Sequence, residues 1–401
     1  MRICFVVQRY GADVAGGAEA LCRRTARALV AAGDDVTVHT TTARDYLTWA
    51  PHHPEGESFE DGVRVVRHGV ERPDPATAAA LVRHLALDPV DPALERRWAR
   101  AQGPVAPGLL RALADERSGH EVFGLWTYLY ATTQMAAPIV GDRAVLVPLA
   151  HEEPMLRFGL TGSLMASVAG FAFMTPEERR LVADLHGPLG DRPQAVVGTG
   201  VDAGRRGDPA RTRRARVLPR RFVLALGRVD AAKGVDDLIR AHARYRAAGG
   251  RLGLVLAGRA AGRMRVPAWV LATGFVDART RADLLAAADV VALPSRYESL
   301  SLVALEAWSA GRPTLANAGC EVLAGQTARS GGGLLYDGPD AYARQLSRLA
   351  DDDEFRALLG AAGARFADAQ TWPAAARRWR ALLARVRGPV SPGRAPTPAR
   401  P

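Results

Sequence analysis

The sequence contains little cysteine and no long apolar run. Its three cysteines, Cys4, Cys22 and Cys320, show no paired Cys-x-x-Cys spacing, which argues against a disulfide framework and against a structural zinc site. No apolar run approaches the roughly 20 residues that a membrane-spanning helix needs, and the apolar run 3–7 is too short for a signal peptide. We therefore expect a cytoplasmic protein without metal or cofactor.

Lysine and aromatic residues are also scarce. Lys233 is the only lysine among 53 basic residues, and aromatic residues make up 6% of the chain. The net charge of +11 is concentrated in two segments: residues 204–221 hold eight arginines against one aspartate, and residues 388–401 add two more arginines. Because both segments are poor in apolar and aromatic residues, the charge indicates a basic linker and a tail, not a nucleic-acid surface.

What the chain does contain is typical of a folded protein. Hydrophobic residues make up 48% of the 401 residues and charged residues 24%, which excludes a disordered or fibrous chain. At about 150 residues per domain, the length predicts two or three domains.

Apolar runs that alternate with helical patterns predict an α/β fold. A strand at 2–8, a helix at 16–32 and a strand at 35–40 form a βαβ unit. Further strands are predicted at 63–67, 121–126, 144–149, 170–174 and 195–197. A second βα series predicts strands at 222–226, 252–256, 270–272, 290–293 and 313–316, with helices at 235–247, 279–287, 302–310 and after residues 338 and 351.

This alternation predicts two doubly wound Rossmann-like domains that face each other across a cleft. The predicted organisation is a first Rossmann-like domain at 1–203, a basic linker at 204–221, a second Rossmann-like domain at 222–372, a terminal helix at 373–387, and a disordered tail at 388–401. Ligands of such sheets bind at the carboxyl ends of the strands, where helix N-termini present free amides.

Glycines and cations follow the first strand of each domain. Gly16 and Gly17 open the first helix, where they let an anion approach the backbone, although a Gly-rich βα turn would show the same pattern. In the second domain Arg228 follows the first strand and Lys233 precedes the next helix. Two cations beside a helix N-terminus can neutralise a diphosphate, and the alternative is two solvated side chains. Retention of the single lysine here indicates that the shape of the ammonium matters.

Two glutamates follow the strand at 290–293. Glu298 lies in the loop after that strand, and Glu306 lies eight residues later on the next helix. Carboxylates can accept hydrogen bonds from pairs of vicinal hydroxyls, while the amides near residues 299–302 face an anion. Glu306 has apolar sequence neighbours, which indicates an engaged acid and disfavours the alternative of a solvated helix face.

Together these motifs resemble the retaining family 4 glycosyltransferases of the GT-B fold, over roughly residues 1–387. The resemblance rests on Gly-Arg followed by Lys-Gly, Pro-Ser-Arg-Tyr-Glu with the second glutamate, Ala-Gly-Arg-Pro at 310–313, Gly-Gly-Ala-Glu after the first strand, and Val-Gly-Thr-Gly-Val-Asp at 197–202. It implies that Arg228 and Lys233 bind the donor diphosphate, that Glu306 binds the ribose and that Glu298 binds the transferred sugar. It also implies further donor contacts from Gly16, Gly17, Phe275, Val276, Ser301 and Leu302. By the same resemblance, the domain at 1–203 is expected to bind the acceptor, the domain at 222–372 to bind the nucleotide sugar, and the helix at 373–387 to cross back to the first domain.

The chain departs from the family pattern at two places. The stretch Glu298-Ser299-Leu300-Ser301 stands where Glu-Gly-Phe-Gly is common, which leaves the donor sugar open. A histidine common in the first domain is missing from Trp126-Thr127-Tyr128, and His151 is the nearest candidate for a polar group at the sugar, although a lone histidine is usually structural or solvated.

The resemblance implies transfer of a sugar from a nucleotide diphosphate donor to an acceptor hydroxyl, with retention, by a hexosyltransferase-type enzyme that needs no metal. The alternatives are a nucleotide-sugar epimerase on the same fold and, less favoured, an arginine-rich nucleic-acid binder. A lipid carrier, a growing polysaccharide, a small thiol or polyol precursor, and a natural-product aglycone all stay open as acceptors. If the acceptor is lipid-linked, the basic segment 204–221 could bind the anionic inner face of the membrane.

Overall fold

The computed structural model describes residues 1–388, except 15, 47, 88–90, 203–206, 216 and 261–264. Its strands are β1 Arg2–Val6, β2 Asp35–Thr41, β3 Gly56–Glu60, β4 Val63–His68, β5 Val122–Trp126, β6 Ala144–Val147, β7 Gly170–Phe173, β8 Gln194–Val196, β9 Phe222–Leu226, β10 Gly253–Ala257, β11 Val270–Ala272, β12 Val290–Leu293, β13 Thr314–Asn317 and β14 Gly333–Tyr336. Its helices are α1 Gly17–Ala31, α2 Pro75–Leu87, α3 Pro92–Gln102, α4 Pro107–Glu116, α5 Ala131–Val140, α6 Gly159–Ser167, α7 Pro176–His186, α8 Pro209–Ala215, α9 Val235–Ala247, α10 Ala278–Ala287, α11 Leu302–Ser309, α12 Glu321–Ser330, α13 Gly338–Asp351, α14 Asp353–Asp368 and α15 Trp372–Arg387. Within these ranges, none of the helices has the length and apolar character that crossing a bilayer requires.

The contacts divide the chain into two units. The first unit comprises Met1–Phe173, Val182–Val197 and the chain from Ala375 onward, and the second comprises Met174–Leu181 and Gly198–Ala374. The predicted α/β class with two doubly wound sheets is confirmed, because each unit has one sheet of parallel strands apart from the antiparallel β3–β4 pair.

The sheet of the first unit has the order β3-β4-β2-β1-β5-β6-β7-β8. Its central strand β1 is a run of completely buried residues from Ile3 to Val6, as expected for a parallel strand covered on both faces. The strand order reverses between β1 and β5, so that the loops after these two strands diverge at a topological switch point.

The C-terminal helix α15 packs onto the first unit through an aromatic cluster. The Trp379 indole stacks on that of Trp126 from β5, with ring centroids 5.7 Å apart and an interplanar angle of 25°. Phe5 from β1 lies 5.8 Å from the same Trp379 ring. These contacts bury the apolar face of the helix against the two central strands of the sheet.

The sheet of the second unit has the order β11-β10-β9-β12-β13-β14, and all its pairs are parallel. Side chains of β9 alternate between two cores: Val223 and Ala225 belong to one, and Phe222 and Leu224 to the other. The sheet is therefore covered on both faces, and its switch point lies between β9 and β12.

The described part of the basic segment 204–221 is partly helical and is packed through ion pairs. It contains α8, and the Arg211 guanidinium on that helix binds the buried Asp283 carboxylate of α10, with 2.6 Å from Nε to Oδ2. The backbone N–H of Asp208 donates to the same carboxylate at 2.7 Å. The composition of the segment could not reveal this contact, because the Asp283 carboxylate comes from a residue more than 70 positions later in the sequence. The tail residues 389–401 lie outside the described residues.

Candidate active site

Two loops meet at the switch point of the second unit. The loop after β9 contains Gly227 at φ +126° and Gly234 at φ +71°, a backbone region that favours glycine. A Cβ atom on Gly234 would lie 2.2 Å from the carbonyl oxygen of Pro294, which begins the loop after β12. Glycine is therefore required at position 234, because it lets the two loops come into close contact.

The lysine and one glutamate form an ion pair between these loops. Lys233 Nζ donates to Glu298 Oε1 at 2.8 Å, and the glutamate is the more buried of the two side chains. Asp230 accepts the backbone N–H of Lys233 at 2.8 Å and lies 3.3 Å from Arg228 Nε. The two loops together thus hold two cations and two carboxylates within a few ångströms at the carboxyl ends of β9 and β12.

The loop after β12 ends in the capped N-terminus of α11. The Ser301 hydroxyl accepts the Ala304 N–H at 3.2 Å, and the Ser301 N–H donates to Gln326 Oε1 at 2.8 Å. The Ser301 amide therefore has a partner within the second unit, and its contact with the donor stays a prediction. Leu302 begins the helix, and the first amides of a helix have no partner inside the helix.

The second glutamate of the motif is held by an arginine from the neighbouring helix. Glu306, on α11, forms an ion pair with Arg281 of α10. The carboxylate is mostly buried, whereas Arg281 is over a third exposed. The expectation that Glu306 is engaged and not solvated agrees with this geometry. The motif itself gave no indication that Arg281 would be its partner.

The loop after β11 carries the residues expected to face the nucleotide base. The Gly258 N–H donates to the Gly274 carbonyl at 2.9 Å, which fixes the loops after β10 and β11 to each other. The next residue, Phe275, has 67% of its surface exposed, whereas Val276 packs against the core. An exposed aromatic ring is therefore available at this edge of the sheet.

In the first unit, the glycine pair lies beside a buried ion pair. Gly16 caps α1, and a Cβ atom there would lie 1.9 Å from Glu19 Oε2, whereas one on Gly17 would meet nothing within 4 Å. Glu19 accepts from Gln8 Nε2 at 2.8 Å and is paired with Arg9. Sequence reasoning quoted Glu19 in the motif without a role and missed Arg9. A buried cation with its carboxylate in the first helical turn therefore supports the glycine loop.

His151 belongs to a small polar group after β5 and β6. Its Nδ1 lies 3.2 Å from Glu153 Oε1, and the Tyr128 hydroxyl donates to the same oxygen at 2.5 Å. Burial raises the pKa of Glu153, but the hydrogen bonds from His151 and Tyr128 outweigh it, so the pKa is lower than usual. Thr127 and Leu149 have φ of +63° and +51°, a strained conformation that costs about 1–3 kcal/mol each and is common at functional sites.

These sheets and loops define a GT-B glycosyltransferase fold. Sucrose-phosphate synthase from Thermosynechococcus elongatus is similar with a TM-score of 0.72 at 18% identity, over 95% of this chain and 98% of that one. A structure described as trehalose-6-phosphate from E. coli bound with UDP-2-fluoro glucose has a TM-score of 0.68 at 15% identity, over 96% of this chain and 99% of that one.

The sequence comparisons give the family. Residues 220–352 match the family model described as Glycosyl transferases group 1. The D-inositol 3-phosphate glycosyltransferase of Salinispora arenicola is 35% identical over 312 residues, which cover 66% of this chain and 69% of that protein. The chain belongs to the group 1 glycosyltransferase family, and the resemblance stated from its motifs is confirmed.

Proposed function

We propose that this glycosyltransferase moves a hexosyl group from a nucleotide diphosphate donor to an acceptor hydroxyl with retention at the anomeric carbon. The observation that carries the proposal is the Lys233–Glu298 pair at the switch point of the second unit. It brings a cation for a diphosphate and an acceptor for sugar hydroxyls to the same edge of one sheet. The relative bound with UDP-2-fluoro glucose supports a nucleotide-sugar donor.

In this proposal the donor diphosphate is bound by Arg228, Lys233 and the first amides of α11 near Leu302. Departure of the diphosphate builds negative charge, and fixed cations and a helix N-terminus stabilise that charge more in the transition state than in the ground state. Asp230 positions both cations through the loop after β9. The leaving phosphate can itself accept the proton of the acceptor hydroxyl, so this reaction needs no protein nucleophile.

The two glutamates are assigned to different parts of the donor. Glu298 would accept hydrogen bonds from the transferred sugar, because its partner Lys233 serves the adjacent phosphate. Glu306 would accept those of the ribose, and Arg281 would orient its carboxylate. Phe275 and Val276 would face the base, where the exposed ring of Phe275 offers a surface for stacking.

The groups of the first unit would complete binding of donor and acceptor. Gly16 and Gly17 would allow close approach to the N-terminus of α1, and Glu19 with Arg9 would hold that loop in place. His151 would bind a sugar hydroxyl, with Glu153 fixing the ring orientation. This histidine is assigned to the sugar because a proton on Nδ1, directed at the Glu153 carboxylate, makes Nε2 of the neutral imidazole an acceptor for a sugar hydroxyl.

A donor-by-acceptor screen tests the proposal. The purified chain would be incubated with UDP-, GDP- and ADP-hexoses and with polyol phosphates, oligosaccharides, thiols and lipid-linked acceptors. We expect a product heavier than the acceptor by one hexosyl unit, with the donor's anomeric configuration by proton NMR. An inverted product would refute retention. Conversion of donor alone into an isomer would instead favour the epimerase alternative.

A further inference from the structure

A cluster of metal-ligating side chains lies inside the first unit. Cys4 is on β1, His39 is on β2, and His120 lies two residues before the start of β5. The sulfur and one ring nitrogen of each histidine lie within 4.8 Å of one another, and all three residues are buried. They are 35 or more positions apart in sequence and come together only because β2, β1 and β5 are neighbours in the sheet.

One nitrogen in this cluster lacks the partner that a buried polar atom normally has. Among the residues that the structure describes, His39 Nε2, the nitrogen that faces Glu116, is buried without a hydrogen-bond partner. The His39 side chain is completely buried. Buried polar atoms without a partner are rare in folded proteins, and an ion is one of the explanations for them.

A carboxylate lies beside both histidines of the cluster. Glu116, the last residue of α4, has its Oε2 atom 3.6 Å from Nε2 of both His39 and His120. This spacing is close to the distance between two ligand atoms in a tetrahedral site, which is about 3.4 Å when each ligand lies about 2.1 Å from a Zn²⁺ ion. Arg64 binds Glu116 at 3.1 Å but also binds Glu57 at 2.8 Å, so the guanidinium keeps a carboxylate partner if Glu116 turns to a metal.

A fifth residue orients one of the imidazoles. His68, the last residue of β4, places its Nε2 atom 3.1 Å from His39 Nδ1. The two rings are stacked with centroids 5.3 Å apart. A hydrogen bond on the far nitrogen is the usual way in which a metal-binding histidine is oriented, and here the opposite nitrogen, His39 Nε2, lies 3.6 Å from Glu116 Oε2.

The cluster also has a route from solvent. A surface cavity of about 370 Å³ is lined by both His120 and Glu116, together with polar residues from the ends of β1, β2 and α4. An ion that enters this cavity would reach two of the ligands directly.

We propose that the first unit binds one Zn²⁺ ion through Cys4, His39, His120 and Glu116. A thiolate, two imidazoles and a carboxylate form a mixed S, N and O set that suits zinc better than magnesium or calcium. Binding forms a Zn–S bond and releases the Cys4 thiol proton to solvent. With four protein ligands the site is structural, and it ties β1, β2 and the start of β5 to the end of α4.

The test uses the untagged full-length chain, stripped with a chelator and titrated with Zn²⁺ and with Co²⁺. We expect one equivalent to bind and to raise Tm, and we expect the cobalt form to show a thiolate-to-metal charge-transfer band. X-ray absorption of the zinc form should give one sulfur at about 2.3 Å. This measurement needs no variant, and a zinc shell without sulfur would overturn the proposal.

Matched variants sharpen the test. Cys4→Ser should abolish the charge-transfer band and weaken zinc binding by more than about 100-fold, beyond the 10–100-fold loss expected for the orienting variant His68→Asn. Cys22→Ser is the control, because this cysteine is equally buried in the same unit but lies on α1 outside the cluster. Equal zinc affinity and equal cobalt spectra in both cysteine variants would contradict the assignment.

Discussion

The two units present their charged groups in different ways. In the second unit the groups at the switch point come from two short loops whose members lie close together in sequence, and they remain partly exposed. In the first unit the corresponding loops hold the buried Arg9–Glu19 pair and the Tyr128–Glu153–His151 group, assembled from separate strands. The comparison teaches that groups from two short loops appear as motifs in the sequence, whereas of the groups assembled from separate strands only Glu19 lies in a motif.

The largest effect should come from the lysine of the second unit. We expect Lys233→Ala to lower kcat by roughly 100- to 1,000-fold, the cost of removing one fixed donor to a developing anion. Lys233→Arg should restore only a minor part of the lost kcat, because a planar guanidinium group cannot take the place of a compact ammonium group beside Arg228. Steady-state kcat with the donor found in the screen measures both.

The control for these variants is Arg240→Ala on α9. Its guanidinium pairs with Asp237 on the same exposed helix face, so this variant should keep wild-type turnover. If Lys233→Arg also turned over at the wild-type rate, only the positive charge would matter at that position.

The next largest effect should distinguish the roles of the two glutamates in donor binding. Glu306→Gln should weaken binding of the nucleoside diphosphate itself, whereas Glu298→Gln should weaken mainly the intact donor. Each lost hydrogen bond to a charged group costs about 1.5–3 kcal/mol, which corresponds to about 10- to 150-fold in affinity. Calorimetric titration of each variant with both ligands measures the difference, and equal losses for both ligands in both variants would refute the assignment.

In the first unit, the effect should appear in stability and depend on pH. The pKa of Glu153 is lowered in the folded protein, so its ionised form adds stability above the ordinary glutamate pKa of about 4.3. That contribution is lost as the pH falls through the lowered folded value. Glu153→Gln should therefore reduce the free energy of unfolding by about 1.5–3 kcal/mol at pH 7, and the difference from wild type should shrink below pH 4.

The adjacent residue provides the control for this experiment. Glu152 is paired with Arg157 at 2.7 Å but its side chain is 66% exposed, compared with 20% for Glu153. Glu152→Gln should change the stability by no more than about 1 kcal/mol at any pH. Urea unfolding from pH 3 to 7 measures both variants, and matching pH profiles would show that burial of Glu153 has no role.

The smallest effect concerns the basic segment. Free arginines near an anionic membrane contribute about 1 kcal/mol each, but Arg211 and Arg221 are paired with Asp283 and Asp289. We therefore expect less than tenfold enrichment on phosphatidylserine vesicles at low salt, and none at high salt, by co-sedimentation. Strong pelleting at low salt would show that the segment leaves α10 to bind lipid.

Much of the fold could be predicted because parallel strands buried on both faces are continuous apolar runs. The prediction at 290–293 coincides with β12, and the helix predicted at 235–247 coincides with α9. The antiparallel edge strand β3 was missed because it is exposed and polar, and β14 because its three apolar residues form a short run between glycine-rich segments. The sequence between 75 and 116 gave no strand–helix alternation, and it folds as the helices α2, α3 and α4.

The candidate site was predictable where its members lie in short motifs after strand ends. Lys233, Glu298 and Glu306 lie in motifs at strand ends, but Arg281, which pairs with Glu306, is on another helix with no motif. The group of Cys4, His39 and His120 had no signal at all, because metal spacings are recognised only between neighbours in sequence. Residues that only the sheet brings together can be recognised as partners only from the structure.

The stacked indoles of Trp126 and Trp379 give the first unit an optical reporter of its own. Two indole chromophores held 5.7 Å apart at a fixed angle couple their electronic transitions and produce a signed near-ultraviolet circular dichroism. One chromophore belongs to β5 and the other to α15, so this signal exists only while the C-terminal helix is docked on its sheet. Docking of that helix can therefore be followed in time, in the natural sequence and without a label.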